Sequence, residues 1–290
     1  MPMVSTITPY TLYVTEDTDP YNPREDDNLG KMLCWHNRYS LGEKHGFTSP
    51  DDFLHELLYD ISVDGEDTPG RLIFDYLKSG KSNSAKLLIN EDTGEAELYE
   101  KWFSDGKWYR SSSCKLGDVP DYTFINECVA AIDGGEALGL IENSGKCVIL
   151  DLYLYDHGGI TMNTHGYSDR WDSGQVGWIY ADANMLKDTY GEITPNALAT
   201  AREVLEDEVK VYDCFLRSEC YSFRLYEDGE EIDSGCGFYG DIDDFRDELR
   251  ECLPVGYERL TDTLEEKNYG FNIDEYLDDI SAESDDLSLS

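Results

Sequence analysis

Lys146–Asp182, KCVILDLYLYDHGGITMNTHGYSDRWDSGQVGWIYAD, sets the character of the chain. Its first ten residues, KCVILDLYLY, are apolar enough for a strand in the middle of a sheet. Its end, QVGWIYA, reads as a second strand. Between them lies a polar stretch with two of the five histidines. The whole predicts a long-looped hairpin that carries its polar residues at the connection.

Working outward, YTLYVT (10–15) alternates polar and apolar like a strand. SPDDFLHELLYDI predicts a helix with Ser49 as N-cap, Pro50 at the first position, and Phe53, Leu54, Leu57, Leu58 and Ile61 as the buried stripe. RLIFDYLKSG reads as a helix ended at Gly80. AKLLINEDTGEAELYEKWF reads as a hairpin around Asp92-Thr93-Gly94, or as a helix. DYTFINECVAAIDGG predicts a helix closed by Gly134 and Gly135. TPNALATAREVLEDEVKVYDCFLRS gives the clearest helix, capped by Thr194, and CYSFRLYEDGEEIDSGCGFYG a hairpin turning at Asp228-Gly229. DIDDFRDELRECL predicts a short last helix. The final thirty residues hold ten acids and one Lys, and from Ser281 they read as a disordered acidic tail.

The expected class is α+β: a mixed, mainly antiparallel sheet covered on one face by three to five helices. The expected organisation is residues 1–62 and 141–260 as the main domain, 63–140 as a helical insertion or lobe, and 261–290 as the tail.

The formal charge is −39, from 62 acids against 23 Lys and Arg. At the charge density of duplex DNA, that many charges would cover roughly 66 Å of helix. Such a chain is repelled by nucleic acid and anionic membranes and drawn to basic surfaces. Apolar residues make up 40%, enough for a substantial core, so the chain is no acidic polymer. No apolar run is long enough to span a membrane, and MPMVSTITPY lacks a signal-peptide pattern. The eight cysteines form no CxxC pair and read as reduced, mostly buried thiols. A cytoplasmic protein is expected.

Two stretches carry a resemblance. EDTDPYNPREDDNLGKMLCWHNRYSLGEKH (Glu16–His45) is one. The other is LYLYDHGGITMNTHGYSDRWDSGQVGWIYAD (Leu152–Asp182), continued through Val209–Gly240. They resemble uncharacterised open reading frames of bacteriophages and integrated mobile elements. The resemblance implies a setting inside a bacterial cell, and no activity, cofactor or site residue. Residues 63–140 and the tail lie outside it. In such a setting, an acidic protein that imitates DNA is one physical answer to host nucleases, by analogy of charge rather than of sequence.

Three chemistries remain. His36, His45, Asp156, His157 and Asp172 would make a divalent-metal site if the two family-like stretches met, and such a site could activate water. No HxH, HExxH or HxxxH spacing supports it. Ser173 could be a nucleophile with His157 as base and Asp156 or Asp172 as orienter, but GxSxG is absent and DSG is a natural turn. Glu203, Glu206, Asp207 and Asp213, with Asp241, Asp243, Asp244, Asp247 and Glu248, could form a phosphate-like stripe for a basic partner. The leading expectation is a non-enzymatic acidic inhibitor that needs no cofactor and binds a basic, nucleic-acid-binding host protein. The alternatives are a metal-dependent hydrolase of nucleotides or nucleic acid and a phage structural or assembly protein.

Overall fold

A computed structural model describes residues 1–64, 68–117, 121–169, 171–240, 242–268 and 270–288, without the side chains of 242, 244 and 281–288. In chain order the first elements are β1 (Met3–Ile7), β2 (Tyr10–Glu16), β3 (Lys31–Cys34), α1 (Pro50–Val63), α2 (Arg71–Lys78), β4 (Ala85–Asn90), β5 (Glu95–Trp102), β6 (Lys107–Lys115), α3 (Tyr122–Ala130) and α4 (Gly134–Asn143). There follow β7 (Val148–Asp156), β8 (Ile160–Asn163), β9 (Ser173–Ala181), α5 (Ala183–Tyr190), α6 (Pro195–Leu216), β10 (Cys220–Glu227), β11 (Glu230–Tyr239), α7 (Ile242–Cys252), α8 (Arg259–Asp262), β12 (Glu265–Glu266) and α9 (Ile273–Ser288). The class is α+β.

The chain divides into two compact units. The first holds Met1–Asp27, Leu154–Gly174 and Asp207–Ser290; the second holds Asn28–Tyr153 and Gln175–Glu206. The expected four-part division differs from this.

The first unit is built on an antiparallel sheet in the order β11-β10-β2-β1-β12. Met3, Leu12, Val14, Phe223 and Leu225 share a core with Phe245 and Leu249 of α7 and with Leu253, which follows it. Val4, Tyr13 and Tyr226, from the alternate strand positions, pack with Ile273 and Leu277 of α9. Successive strand residues point to opposite faces, so both faces of this sheet carry a helix. One-sided cover was expected; the strands are apolar at both sets of positions and require two-sided cover. The β10–β11 turn is the Asp228-Gly229 pair foreseen from sequence, both residues at positive φ (49° and 82°), which matches the twist of a two-residue hairpin. The backbone of α9 is helical through Ser288. The side chains of the expected disordered tail from residue 281 lie outside the described residues.

In the second unit β3 pairs with β9, and β9 neighbours β7. The helix α1 begins as its sequence directs, with the Ser49 hydroxyl accepting from the Asp52 N–H at 3.1 Å. Its stripe of Phe53, Leu54, Leu57, Leu58 and Ile61 enters one core with residues of α2, α3, α4 and β4–β5. Residues 63–140 are therefore no separate helical lobe: they contain the three-stranded sheet β4-β5-β6 and share the core of α1. Gly134 does not close α3 but opens α4, because the Asp133 side chain caps the new helix by accepting from Glu136 N–H at 2.8 Å.

One close approach fixes the β3–β9 pairing. Gly177 faces Cys34, and a Cβ at Gly177 would lie 1.9 Å from the Leu33 carbonyl oxygen. Gly177→Ala is expected to lower stability by about 1–3 kcal/mol. Gly174→Ala, in the same strand with open space around it, serves as the control in thermal unfolding. Equal losses from the two would contradict this pairing.

Candidate functional site

The polar connection after β7 belongs to the first unit. The Asp156 N–H donates to the Asp172 carbonyl at 2.8 Å and the His157 N–H to the Gly159 carbonyl at 3.1 Å, which fold the loop back on itself. His157 Nδ1 donates to the Asp172 carboxylate at 2.8 Å, with both side chains in solvent. The Ser173 hydroxyl donates to the Asp169 carbonyl, closing the DSG turn. It is engaged in the turn and not aimed at His157. Asn163 accepts from the N–H groups of His165 and Gly166. Trp171 stands almost fully exposed.

The histidines have local roles. His36 Nδ1 accepts from the N–H groups of Arg38 and Tyr39. His45 donates from Nε2 to the Cys34 carbonyl at 3.1 Å and packs its ring 4.6 Å from that of Trp35. His55 donates to the Ile132 carbonyl at 2.9 Å. His36 and His45 belong to the second unit, while Asp156, His157 and Asp172 belong to the first. Among the described residues no group of three or more His, Cys, Asp or Glu stands together to hold a metal ion. The five residues singled out for a metal thus show no assembled ligand set. Among the described residues no helix is long and apolar enough to cross a membrane.

The expected acidic stripe divides between the units. Glu203 and Glu206 lie in the second; Asp207, Asp213, Asp243, Asp247 and Glu248 lie in the first. Asp241 falls outside the described residues, and so does the side chain of Asp244. Asp207 pairs with Lys210 at 2.6 Å and Asp243 approaches Arg246 at 3.9 Å. Asp247 and Glu248 are exposed on α7.

Asp213 differs from the rest. Its carboxylate accepts from the Thr161 hydroxyl at 2.7 Å and the Met162 N–H at 2.6 Å, and pairs with Arg217 at 3.3 Å. It fastens β8 to α6, and its charge is consumed inside the fold. Arg24 and Glu208 form another buried pair at 2.9 Å in the same unit.

What the sequence reading missed is where the acids gather. The first unit holds 35 Asp and Glu against 9 Lys and Arg, a formal −26 in 132 residues. The second holds 27 against 14, a formal −13 in 158 residues. The first unit's exposed acids include Glu230 and Glu231 on the edge strand β11, Glu265 and Glu266 on β12, and Asp274 and Glu275 on α9.

A further acidic feature lies on α1. Asp52, Glu56 and Asp60 recur every four residues and form one exposed column, continued by the C-cap residue Asp64, which pairs with Lys187 at 3.3 Å. A groove of about 660 Å³ beside it is lined by Asp52, His55, Glu56, Tyr59, Tyr122 and Asn126. A cavity of about 310 Å³ on its other flank is lined by Leu57, Asp60, Ile61, Asp64, Lys146 and Asp182. Burial pushes the Asp60 carboxyl above its ordinary value, and Glu56, Asp182 and Asp64 add to the shift. The four-residue spacing was available in the sequence, but the apolar stripe of the helix drew the reading to its other face.

Two predictions separate structural from surface carboxylates. Asp213→Ala should cost about 2–3 kcal/mol in denaturant unfolding, since it strands buried donors, whereas His157→Ala should cost at most about 1 kcal/mol. The reverse order would return the His157 pair to the centre of the unit. Asp60, with its raised folded pKa, binds more protons folded than unfolded. Its contribution to stability therefore falls as pH rises above the ordinary aspartate value of 3.8. Asp60→Asn is expected to raise the Tm at neutral pH, with the gain vanishing in acid. A gain of the same size at every pH would contradict the electrostatic cause.

Comparison with family models, curated proteins and solved structures returned no match.

Proposed function

We infer that the chain is a non-enzymatic acidic protein that binds a basic protein surface and occludes its nucleic-acid-binding face, in the manner of a DNA mimic. The observation that carries this reading is the concentration of charge: −26 on the smaller unit against −13 on the larger. Acidity that served hydration alone has no reason to gather in this way. The first unit keeps its buried carboxylates paired, as Asp213 and Glu208 are, and leaves the exposed ones for solvent or a partner. The partner class is a nucleic-acid-binding protein, the commonest bearer of such basic surface. The resemblance to mobile-element reading frames points to a host defence factor as the target.

Affinity of this kind comes from many weak charge contacts. It steers encounter and falls as salt rises. The test uses purified DNA-binding proteins, duplex DNA as competitor, and a series of salt concentrations. Binding that competes with duplex DNA, weakens with salt and is abolished by reversing Asp247, Glu248, Glu265 and Glu266 together is the expected result. Single alanine changes at these positions should each cost no more than about 0.5 kcal/mol. Binding that ignores salt, or that His157→Ala alone abolishes with the fold intact, would overturn the reading.

A further inference from the structure

We propose that the outer face of the β4-β5-β6 sheet is a docking surface for the acidic column of α1 on a second copy of this chain. The inference does not rest on the reading of the first unit.

The sheet has two unlike sides. Ala85, Leu87, Ala96 and Leu98 point inward and are buried in the core shared with α2 and α3. The alternate positions point outward, and the registers Lys86↔Tyr99↔Arg110 and Lys101↔Trp108 align them across the strands. Lys86 Nζ lies 4.7 Å from the centroid of the Trp108 ring and 5.3 Å from that of Tyr99. Lys101 Nζ lies 5.8 Å from the Trp108 ring. Neither lysine has an ion pair among the described residues. Leu88 is 49% exposed on the same face. The face carries four cations, Lys86, Lys101, Arg110 and Lys115, against two carboxylates, Glu95 and Glu97, and Arg110 is paired with Glu97 at 2.6 Å.

A net positive, aromatic face on a chain of −39 is the reverse of its surroundings. The aromatic rings and Arg110 are of the kinds enriched at interface anchors, and the two lysines over the rings supply charge for an acidic partner. The complement is present on every copy. From Asp52 to Asp60 the α1 column runs about 12 Å at the rise of an α-helix, and eight-residue β5 spans about 27 Å, so the column fits along the face. At physiological salt the Debye length is about 8 Å. Charges farther apart than this are largely screened, so the groups in contact weigh most in the pairing. A single-stranded nucleic acid fits less well: the Trp108 ring already has lysine ammoniums over it, so base stacking has no free platform. A contact between two different surfaces of identical chains is head-to-tail, and its products form rings or open chains.

The test is sedimentation of the full chain over a wide concentration range at physiological salt. The expected result is a mass that rises with concentration. Lys86→Glu/Lys101→Glu and Glu56→Lys/Asp60→Lys should each weaken association about tenfold or more, and mixing the two variants should restore it, since each supplies the surface the other has lost. Circular dichroism checks their folding, and the uncharged Leu88→Ser carries the test if a charge variant fails to fold. A wild-type chain that stays monomeric throughout would overturn the proposal, as would association unchanged by Lys86→Glu/Lys101→Glu. Two folded variants that do not associate on mixing would do the same. An oligothymidylate that binds the wild type and not Lys86→Glu/Lys101→Glu would assign the face to nucleic acid and overturn it as well.

Discussion

Mutual repulsion of carboxylates is the constraint around which this molecule is arranged. With 62 acids and 23 Lys and Arg, the chain must bury enough apolar surface to offset a self-repulsion that favours expansion. Both units do this beneath charged exteriors. In the first, alternate strand residues feed two clusters, one under α7 and one under α9. In the second, α1 supplies five apolar side chains to a single core while its other face keeps four carboxylates in water. Carboxylates that do enter the interior come with partners: Glu208 with Arg24, and Asp213 with two donors and Arg217. An unpaired one there would cost several kcal/mol.

This arrangement accounts for the character of the loop after β7. Its Asn163, Asp169 and Ser173 side chains satisfy backbone groups of the turns that flank the short strand β8. Asn163 and Asp169 accept from N–H groups two or three residues onward, and Asp172 holds His157. A catalytic histidine paired with a carboxylate would work within a cleft that excludes water. His157 is 70% exposed, where water reaches both it and Asp172. The geometry is that of a loop held in shape.

The local parts of the fold were legible in the sequence. Ser49-Pro50 and Thr194-Pro195 state their helix starts through a hydroxyl acceptor and a residue with no N–H to lose, and Asp228-Gly229 states a two-residue turn. Elements that depend on distant partners were not legible. Met3 pairs with Glu266 across nearly the whole chain, and nothing near either residue announces it. Gly134 misled because glycine serves both after a helix and at the start of one; the Asp133 cap decides between them. The metal set is a different case. The two family-like stretches do meet, as β3 against β9, yet among the described residues no three of the His, Cys, Asp or Glu side chains gather to hold a metal ion. The acidic stripe was legible as charge but not as place, since Asp213 looks in sequence like any exposed acid of an amphipathic helix.

The central claim is that the first unit's surface meets a basic partner. The most direct test is the footprint of a bound DNA-binding protein, measured by hydrogen exchange on the full chain at low salt. The account predicts slowed exchange along β11, α7, β12 and α9 of the first unit, reversed by duplex DNA in excess. Slowed exchange confined to the loop around His157, or to the second unit alone, would contradict it.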